Sequence, residues 1–353
     1  MALSASGVNV KAAIAKAESW GTAVACGANS GILIRPHTLK KMRQTLIDDS
    51  LGQYFPENAV NAETKCAGDI SSYLRYDGLD LLIALAMGAT AGNPVQQGAS
   101  TFGAGGAFAQ TFSMADALDG LFATFIVNNQ INIDEYTSVK ITGFQLKGQA
   151  GKPLEISFHA QASDRITGST VNTKAAFANV TVFETANRVL YGQGVFRLNA
   201  ASDEALGASG IIYPDSFTLE FKRRMAGGYG MGTSMDTIDE PANDGLPDIT
   251  LKLEFPRYRA STYFTEWDAA TNLKMDMAFT GARIVSPHNR SFKISMPNMK
   301  LLNVDLPMSG GMLEHPLEFQ CLGVPGGTPP AGMTVTNPFQ VDVINRMAAD
   351  VLA

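Results

Sequence analysis

Hydrophobic and polar residues alternate with a period of two along much of the chain, and this alternation most constrains the fold. It is clearest in residues 139–142, 217–221 and 249–254, where Phe, Leu, Ile or Val alternates with Thr, Lys or Glu. A strand with this pattern buries one face and exposes the other. Because Gly, Pro and Asn separate such stretches, the sequence predicts a mainly β protein, a sandwich or a barrel. Further predicted strands are 154–159, 179–183, 195–198, 292–296 and 317–322.

Helical spacing of apolar residues is confined to three short stretches. In residues 78–87 the apolar positions recur every three or four residues, with Asp77 as the predicted N-cap and Gly88 as the C-cap. Residues 262–270 and 339–352 show the same spacing. We expect three amphipathic helices that lie on the surface of sheets.

An internal repeat runs through the chain. Residues 37–43 align with 217–223, and the pair Arg75 and Tyr76 aligns with Arg257 and Tyr258. Two later matches follow in the same order, 138–141 with 291–294 and 153–156 with 316–319. The predicted elements recur in order as well, as strand, long loop, strand, helix and two strands. The repeat predicts two tandem β-sandwich domains, each flanked by a short α-helix.

The repeat also sets the expected domain boundaries. Residues 36–165 form the first copy and residues 216–323 the second. An N-terminal arm (1–35), a stretch of connecting strands and linker (166–215) and a C-terminal segment with a helix (324–353) complete the chain. The arm and the C-terminal segment are candidates for contacts between subunits.

Two long loops, residues 48–68 and 227–248, occupy matching places in the two copies. Loops of about twenty residues are uncommon inside compact domains and usually have a function. Matching positions favour a shared function, and simple connectors remain the alternative. The candidate residues are Asp48, Asp49, Tyr54, Glu57, Asp236, Asp239, Glu240 and Asp244.

Two small basic groups also occupy matching positions in the repeat. They favour a subunit contact in which a charged strand end meets the acidic loop of a neighbour, and a solvated charged face is the alternative. The first group is Lys40, Lys41 and Arg43, and the second is Lys222, Arg223 and Arg224.

Charge and cysteine content exclude several classes of protein. Among 353 residues, 27 Lys and Arg stand against 33 Asp and Glu, so the formal net charge is −6. This balance argues against nucleic-acid binding driven by counterion release. Cys26, Cys66 and Cys321 have no metal-ligand spacing and are expected to be reduced thiols. No signal peptide is expected, and the run 79–91 contains Asp80 and is too short to span a bilayer.

No known arrangement of catalytic or cofactor-binding residues is present in the sequence. The four histidines show no metal-ligand spacing, and the glycine-rich stretches at 103–106 and 228–232 lack the P-loop and dinucleotide-binding patterns. No G-x-S-x-G motif presents a nucleophile. We therefore expect no enzymatic activity, no cofactor and no metal.

Several segments in order resemble the major tail tube proteins of long-tailed bacteriophages. They are residues 20–24, 47–51, 68–70, the run Leu74, Arg75, Tyr76, Asp77, Gly78, Leu79, Asp80, and residues 136–141 and 148–154. The resemblance covers nearly the whole chain and is most specific in residues 47–88. The second copy departs from it, because Arg259, Ala260, Ser261 and Thr262 replace the residues at 77–80.

The resemblance implies a β-sandwich flanked by a helix, assembled into stacked rings around a lumen that conducts DNA from capsid to host. Because single-domain members close a ring with six copies, a duplicated chain is expected to form a trimer with pseudo-sixfold symmetry. The long loops would reach into the next ring. Other expected partners are the tape-measure protein and the tail terminator and tip proteins. DNA would pass without specific binding, through a lumen that the acidic balance predicts to be net negative.

The expected location is the virion tail, after synthesis in the host cytoplasm. Two alternatives stay open: the tube of a contractile secretion or injection machine, and a two-domain decoration or adhesin protein of the virion. An unrecognised hydrolase would need a pocket with clustered titratable groups.

Overall fold

The computed structural model describes residues 7–48, 54–55, 58–98, 106–184, 187–229, 237–258, 261–304 and 313–353. Strands dominate it, which confirms the predicted mainly β class. The first half contains β1 (Lys11–Ala17), β2 (Gly31–Ile32), β3 (Lys40–Ile47), β4 (Ala59–Tyr73), α1 (Asp80–Met87), β5 (Gly88–Thr90), β6 (Val95–Gln97), β7 (Ala107–Met114), β8 (Phe122–Asn128), β9 (Ile133–Gln149), β10 (Glu155–Thr167) and α2 (Lys174–Phe177).

The second half continues this pattern. It contains β11 (Gly194–Ala200), β12 (Ile211–Ile212), β13 (Ser216–Lys222), β14 (Met225–Ala226), β15 (Ala242–Asn243), β16 (Asp248–Phe255), α3 (Thr262–Asp268), β17 (Asn272–Val285), β18 (His288–Val304), β19 (His315–Cys321) and β20 (Gln340–Asn345). β14 and β15 pair only with each other, and the other strands are hydrogen-bonded into one large sheet.

The same order of strand pairing occurs twice within this sheet. In the first half the order is β2, β1, β8, β9, β10, β4, β3. In the second half it is β12, β11, β17, β18, β19, β16, β13. Every pairing in both series is antiparallel. β1, which was expected in an N-terminal arm, is instead a strand of the first series.

The pairing register agrees with only part of the sequence repeat. β3 pairs with β4 and β13 pairs with β16, so the segments aligned as residues 37–43 and 217–223 lie in or directly before corresponding strands. Val139 lies between Ala123 of β8 and Ala162 of β10, whereas Phe292 lies between Phe279 of β17 and Val343 of β20. The two residues have different strand neighbours, so the alignment of Val139 with Phe292 is out of register.

Two connections join the halves. β9 bends so that residues 134–139 pair with β8, and residues 143–149 pair with β13. A continuous antiparallel sheet results, in the order β3, β4, β10, β9, β13, β16, β19, β18, which we call the eight-stranded sheet. The second connection is β20, which lies between β18 and β7.

One hydrophobic core extends across both halves. Phe144 of β9 contacts Phe158, Phe221 and Phe339, with ring centroids 5.6 to 6.1 Å apart. The rings of Phe196, Phe217 and Phe279 form a second aromatic group in the same core. Because aromatic side chains bury large apolar areas, the Phe144 group packs residues of the two halves against each other in one core.

The helix predicted at residues 78–87 is present as α1, but it is a core helix rather than a surface one. Its side chains from Leu82 to Met87 are buried, and Gly88 ends it in a left-handed conformation with φ 96°. The residue at its N-cap is Leu79, not Asp77, because the Asp77 carboxylate is engaged elsewhere in the core. The helix predicted at 262–270 is present as α3, and none of its residues is buried.

The helix predicted at residues 339–352 was wrong, because this segment contains the strand β20. The alternation that buries Val341, Val343 and Asn345 competes with the helical spacing in the same residues. Two neighbouring strands accept β20 as a partner, and this pairing decides in favour of the strand. The strand predicted at 179–183 is also absent, and Val182 forms a single bridge with Gly31.

The three cysteines are free and buried, as expected. Within the described part of the chain, no helix has the length and apolar character that a bilayer span requires.

Candidate assembly surfaces

The eight-stranded sheet has one apolar face and one polar face. Leu146, Leu219 and Leu251 lie side by side in neighbouring strands and face the core. The residues next to them in each strand face the opposite side. Carboxylates and lysines occur in similar numbers on this polar face: Glu63, Asp69, Glu155, Glu220, Asp248, Glu254 and Glu318 with Lys40, Lys65, Lys147, Lys222, Lys252 and Lys300. The net acidity of the chain is therefore not concentrated here.

Ion pairs on the polar face form both between strands and within a strand. Lys252 Nζ of β16 lies 3.1 Å from Glu318 Oε1 of β19, and Lys222 Nζ lies 2.7 Å from Glu220 Oε1 within β13. Pairs at exposed positions contribute little to stability. They do compensate charge, so that the face presents an alternating pattern of both signs.

His159 is the centre of the most connected group on this face. Its Nδ1 lies 2.8 Å from Asp69 Oδ1 and its Nε2 lies 3.1 Å from Glu220 Oε1, so both ring nitrogens face carboxylates. Burial opposes ionisation of Glu220, but hydrogen bonds from Lys222, Gln145 and His159 outweigh it and lower the pKa of Glu220. The group links β4, β10 and β13 across the junction of the halves.

The resemblance segment at residues 75–80 contacts the second half. Asp77 Oδ2 accepts a hydrogen bond of 2.7 Å from Arg290 Nε of β18, and both side chains are buried. Asp80 Oδ1 accepts a bond of 2.6 Å from Asn345 Nδ2 of β20. Burial raises the pKa of Asp80 to about 6. These carboxylates therefore join the start of α1 to β18 of the second pairing series and to β20, which follows that series in the chain.

The first predicted loop is for the most part a β-hairpin. Residues 59–68, expected in the loop, belong to β4 and pair with β3 as far as Ile47 opposite Ala59. At the turn, Asp48 N donates to Asn58 O, and Tyr54 and Phe55 are 92% and 70% exposed. Leu46, Ile47 and Val60 are exposed beside them. Asp49 and Glu57 lie outside the described residues.

The second predicted loop is folded against the first half of its own chain. Glu240 Oε1 pairs with Lys140 Nζ at 2.5 Å and accepts a bond from Gly120 N. Trp20 Nε1 donates to Ile238 O, and the Lys140 side chain is fully buried. Asp239 and Asp244 donate backbone bonds to Gly228 O and Arg224 O within the loop. Asp236 lies outside the described residues. The two loops therefore differ in form.

The predicted basic groups are only partly available to a neighbour. Lys41 pairs with Asp164 of β10, and Lys222 pairs with Glu220, within the chain. The Arg223 guanidinium is buried, where it donates to Met87 O at the end of α1 and to Ala115 O. Within the chain, Arg223 therefore ties the segment directly after β13 to the end of α1. Lys40, Arg43 and Arg224 are exposed.

Sequence reasoning missed the buried Asp77–Arg290 pair and the Lys140–Glu240 pair. A polar residue inside an alternating apolar strand, such as Lys140 in β9, signals a buried partner, although the sequence does not say which. Among the described residues, no group of three or more metal-ligating side chains comes together.

A family model described as phage tail tube protein matches residues 7–341. A search of curated proteins finds no match.

Proposed function

The chain belongs to the phage tail tube protein family and is a structural component of the virion tail, and we propose that its two halves are duplicated tube domains that close into rings. The observation that supports this proposal is the recurrence of the seven-strand pairing order. Three chains would then supply six equivalent units, as a trimer with pseudo-sixfold symmetry.

The junction between the halves suggests how one subunit joins the next. Inside the chain, residues 143–149 of β9 cover the outer edge of β13. β3 takes the place of β13 in the first half, and among the described residues it pairs with β4 alone. β18 takes the place of β9, and its last residues, 301–304, pair with β19 on one side. The end of β18 would add to the edge of β3 in a second copy, as strands do in β-augmentation.

If rings close by adding the end of β18 to β3 of the next subunit, the polar face of the eight-stranded sheet lies on one side of the tube wall. We assign that face to the lumen, since the opposite face is packed in the core. The positive and negative charges on this face nearly cancel, whereas the composition predicted a lumen with net negative charge. A face without net positive charge still releases few counterions from DNA, so the DNA would slide.

The tape-measure protein, the tail terminator and tip proteins and passing DNA remain the proposed partners. Synthesis in the host cytoplasm also belongs to this proposal. The family match favours a virus over a secretion machine, and the exposed strand edge favours a polymer over a discrete adhesin.

Polymerisation of the purified chain tests the function. We expect hollow tubes in negative-stain electron micrographs as the concentration rises. Discrete particles without a bore at every concentration would contradict the proposal and favour the adhesin.

A further inference from the structure

The eight-stranded sheet has two opposite ends, and the exposed aromatic hairpin lies at only one of them. At the first end lie the β3–β4 turn, the end of β13 and the start of β16, and we call this end the hairpin end. Phe255 at the end of β16 lies beside His315 at the start of β19, and the start of β13 is close by. We call this opposite end the Phe255 end.

The hairpin end carries an aromatic tip formed by Tyr54 and Phe55. Their ring centroids are 4.7 Å apart in an edge-to-face arrangement, and both rings face solvent. Exposed apolar groups of this kind usually mark an interaction site. The sequence beside the tip is acidic, with Asp48, Asp49 and Glu57.

The Phe255 end carries a matching apolar pocket of about 340 Å³, which we call the Phe255 pocket. Tyr213, at its mouth, is 80% exposed, and Arg257 is exposed at its rim. The pocket therefore offers an apolar interior and a positive rim to an aromatic segment with acidic neighbours. Its lining residues are Ile212, Tyr213, Phe255, Pro256, Arg257 and His315.

The two halves do not duplicate these features. β4 takes the place of β16 in the first half, and it ends at Tyr73, whose ring is covered by the guanidinium groups of Arg35 and Arg188. The second-half loop is folded back through Ile238 and Glu240. The described chain thus presents the aromatic tip in its first half and the Phe255 pocket in its second.

We propose that the aromatic tip of one subunit inserts into the Phe255 pocket of a second copy in the next ring. This inference rests on the proposed tube function. A tip and a pocket at opposite ends of the strands make a head-to-tail contact that does not close on itself, and such contacts extend without limit. The first half of each subunit then lies against the second half of a subunit in the neighbouring ring.

Variants on each surface test the contact separately. Tyr54→Ser combined with Phe55→Ser, and separately Tyr213→Ser, should raise the critical concentration for tube growth roughly tenfold or more, because each removes aromatic area that becomes buried in the proposed contact. Single rings should persist. Val95→Ser, at an exposed apolar position of β6, is the matched control and should polymerise as the wild type does.

A cysteine pair distinguishes the contact from a general loss of solubility or folding. Phe55→Cys with Tyr213→Cys in one chain, assembled well above its raised critical concentration, should give a ladder of disulfide-linked oligomers from the tubes under oxidation. The native cysteines are buried and should not contribute. Absence of the ladder from tubes, or normal growth of the serine variants, overturns the inference and leaves the tube function standing. Failure of the wild-type chain to form tubes overturns both.

Discussion

The carboxylates of Asp77 and Asp80 lie in one segment, yet the fold gives them different partners. Asp77 is paired with the Arg290 guanidinium, whereas Asp80 is held by the Asn345 amide and by Gly78 N at 3.2 Å. Desolvation of a carboxylate without a cation favours its protonated form. The two residues are therefore expected to respond differently to substitution of their partners.

Replacement of Arg290 should be among the more damaging single changes. Arg290→Met keeps the volume but leaves the Asp77 carboxylate buried without a cation, so we expect a loss of about 3 kcal/mol in the free energy of unfolding. Urea unfolding at neutral pH measures this loss. Arg43→Met, at an exposed position, is the control and should change the free energy by less than about 0.5 kcal/mol. Equal small losses in both variants would show that the ion pair does not hold the halves together.

Asp80 should make stability depend on pH in a direction unusual for a carboxylate. Burial raises the pKa of Asp80 in the folded chain to about 6, above its ordinary value of 3.8, so the folded state binds the extra proton. Stability from this group is present at low pH and is lost as the pH rises through 6. Relative to Asp80→Asn, the wild type should gain about 1 kcal/mol between pH 7.5 and pH 5. Parallel pH profiles of wild type and variant would refute the burial of this carboxyl.

At the scale of elements, the strands buried on one face could be predicted from sequence, and those that depend on partners could not. The alternation in β13 and β16 reflects one core face and one solvent face, and both strands are present where predicted. Residues 59–68 lack alternation because the outer part of the β3–β4 hairpin has little core to face. The sequence of β20 fits both the helical and the strand spacing of apolar residues. It forms a strand because β18 and β7 pair with it.

The assembly surfaces could likewise be predicted only in part from the sequence. The acidic and basic residues in the repeat were visible in the sequence, but their burial was not. Arg223 and Glu240 find partners far away in the chain, which depends on tertiary packing and not on local pattern. The hairpin form of the first loop and the folded form of the second likewise depend on what each loop meets.

The bend of β9 at the junction with β13 depends on Gly143. Its φ is 154°, and an added Cβ would meet the Phe221 carbonyl oxygen of β13. Gly143→Ala should therefore cost about 2 kcal/mol or more, since the backbone of the junction must shift. Thermal unfolding measures this cost. Gly192→Ala is the control, because nothing lies within 4 Å of its added Cβ. If Gly192→Ala lowered stability as much as Gly143→Ala, the structural role assigned to Gly143 would be contradicted.

At the scale of the whole molecule, one arrangement of seven strands used twice accounts for the sheet, the polar face and the free edge of β3. The internal junction is the template for the proposed contact between subunits. Rings formed in this way need no ligand or enzyme chemistry, because closure depends on strand edges and stacking on the two ends of the sheet.

A cryo-electron microscopy map of tubes assembled from the full chain tests this account most directly. We predict three chains in each ring with pseudo-sixfold symmetry, and the end of β18 beside β3 of the adjacent subunit, continuing the eight-stranded sheet around the bore. A ring with six chains, or a map in which β3 has no strand partner from a neighbour, would contradict it.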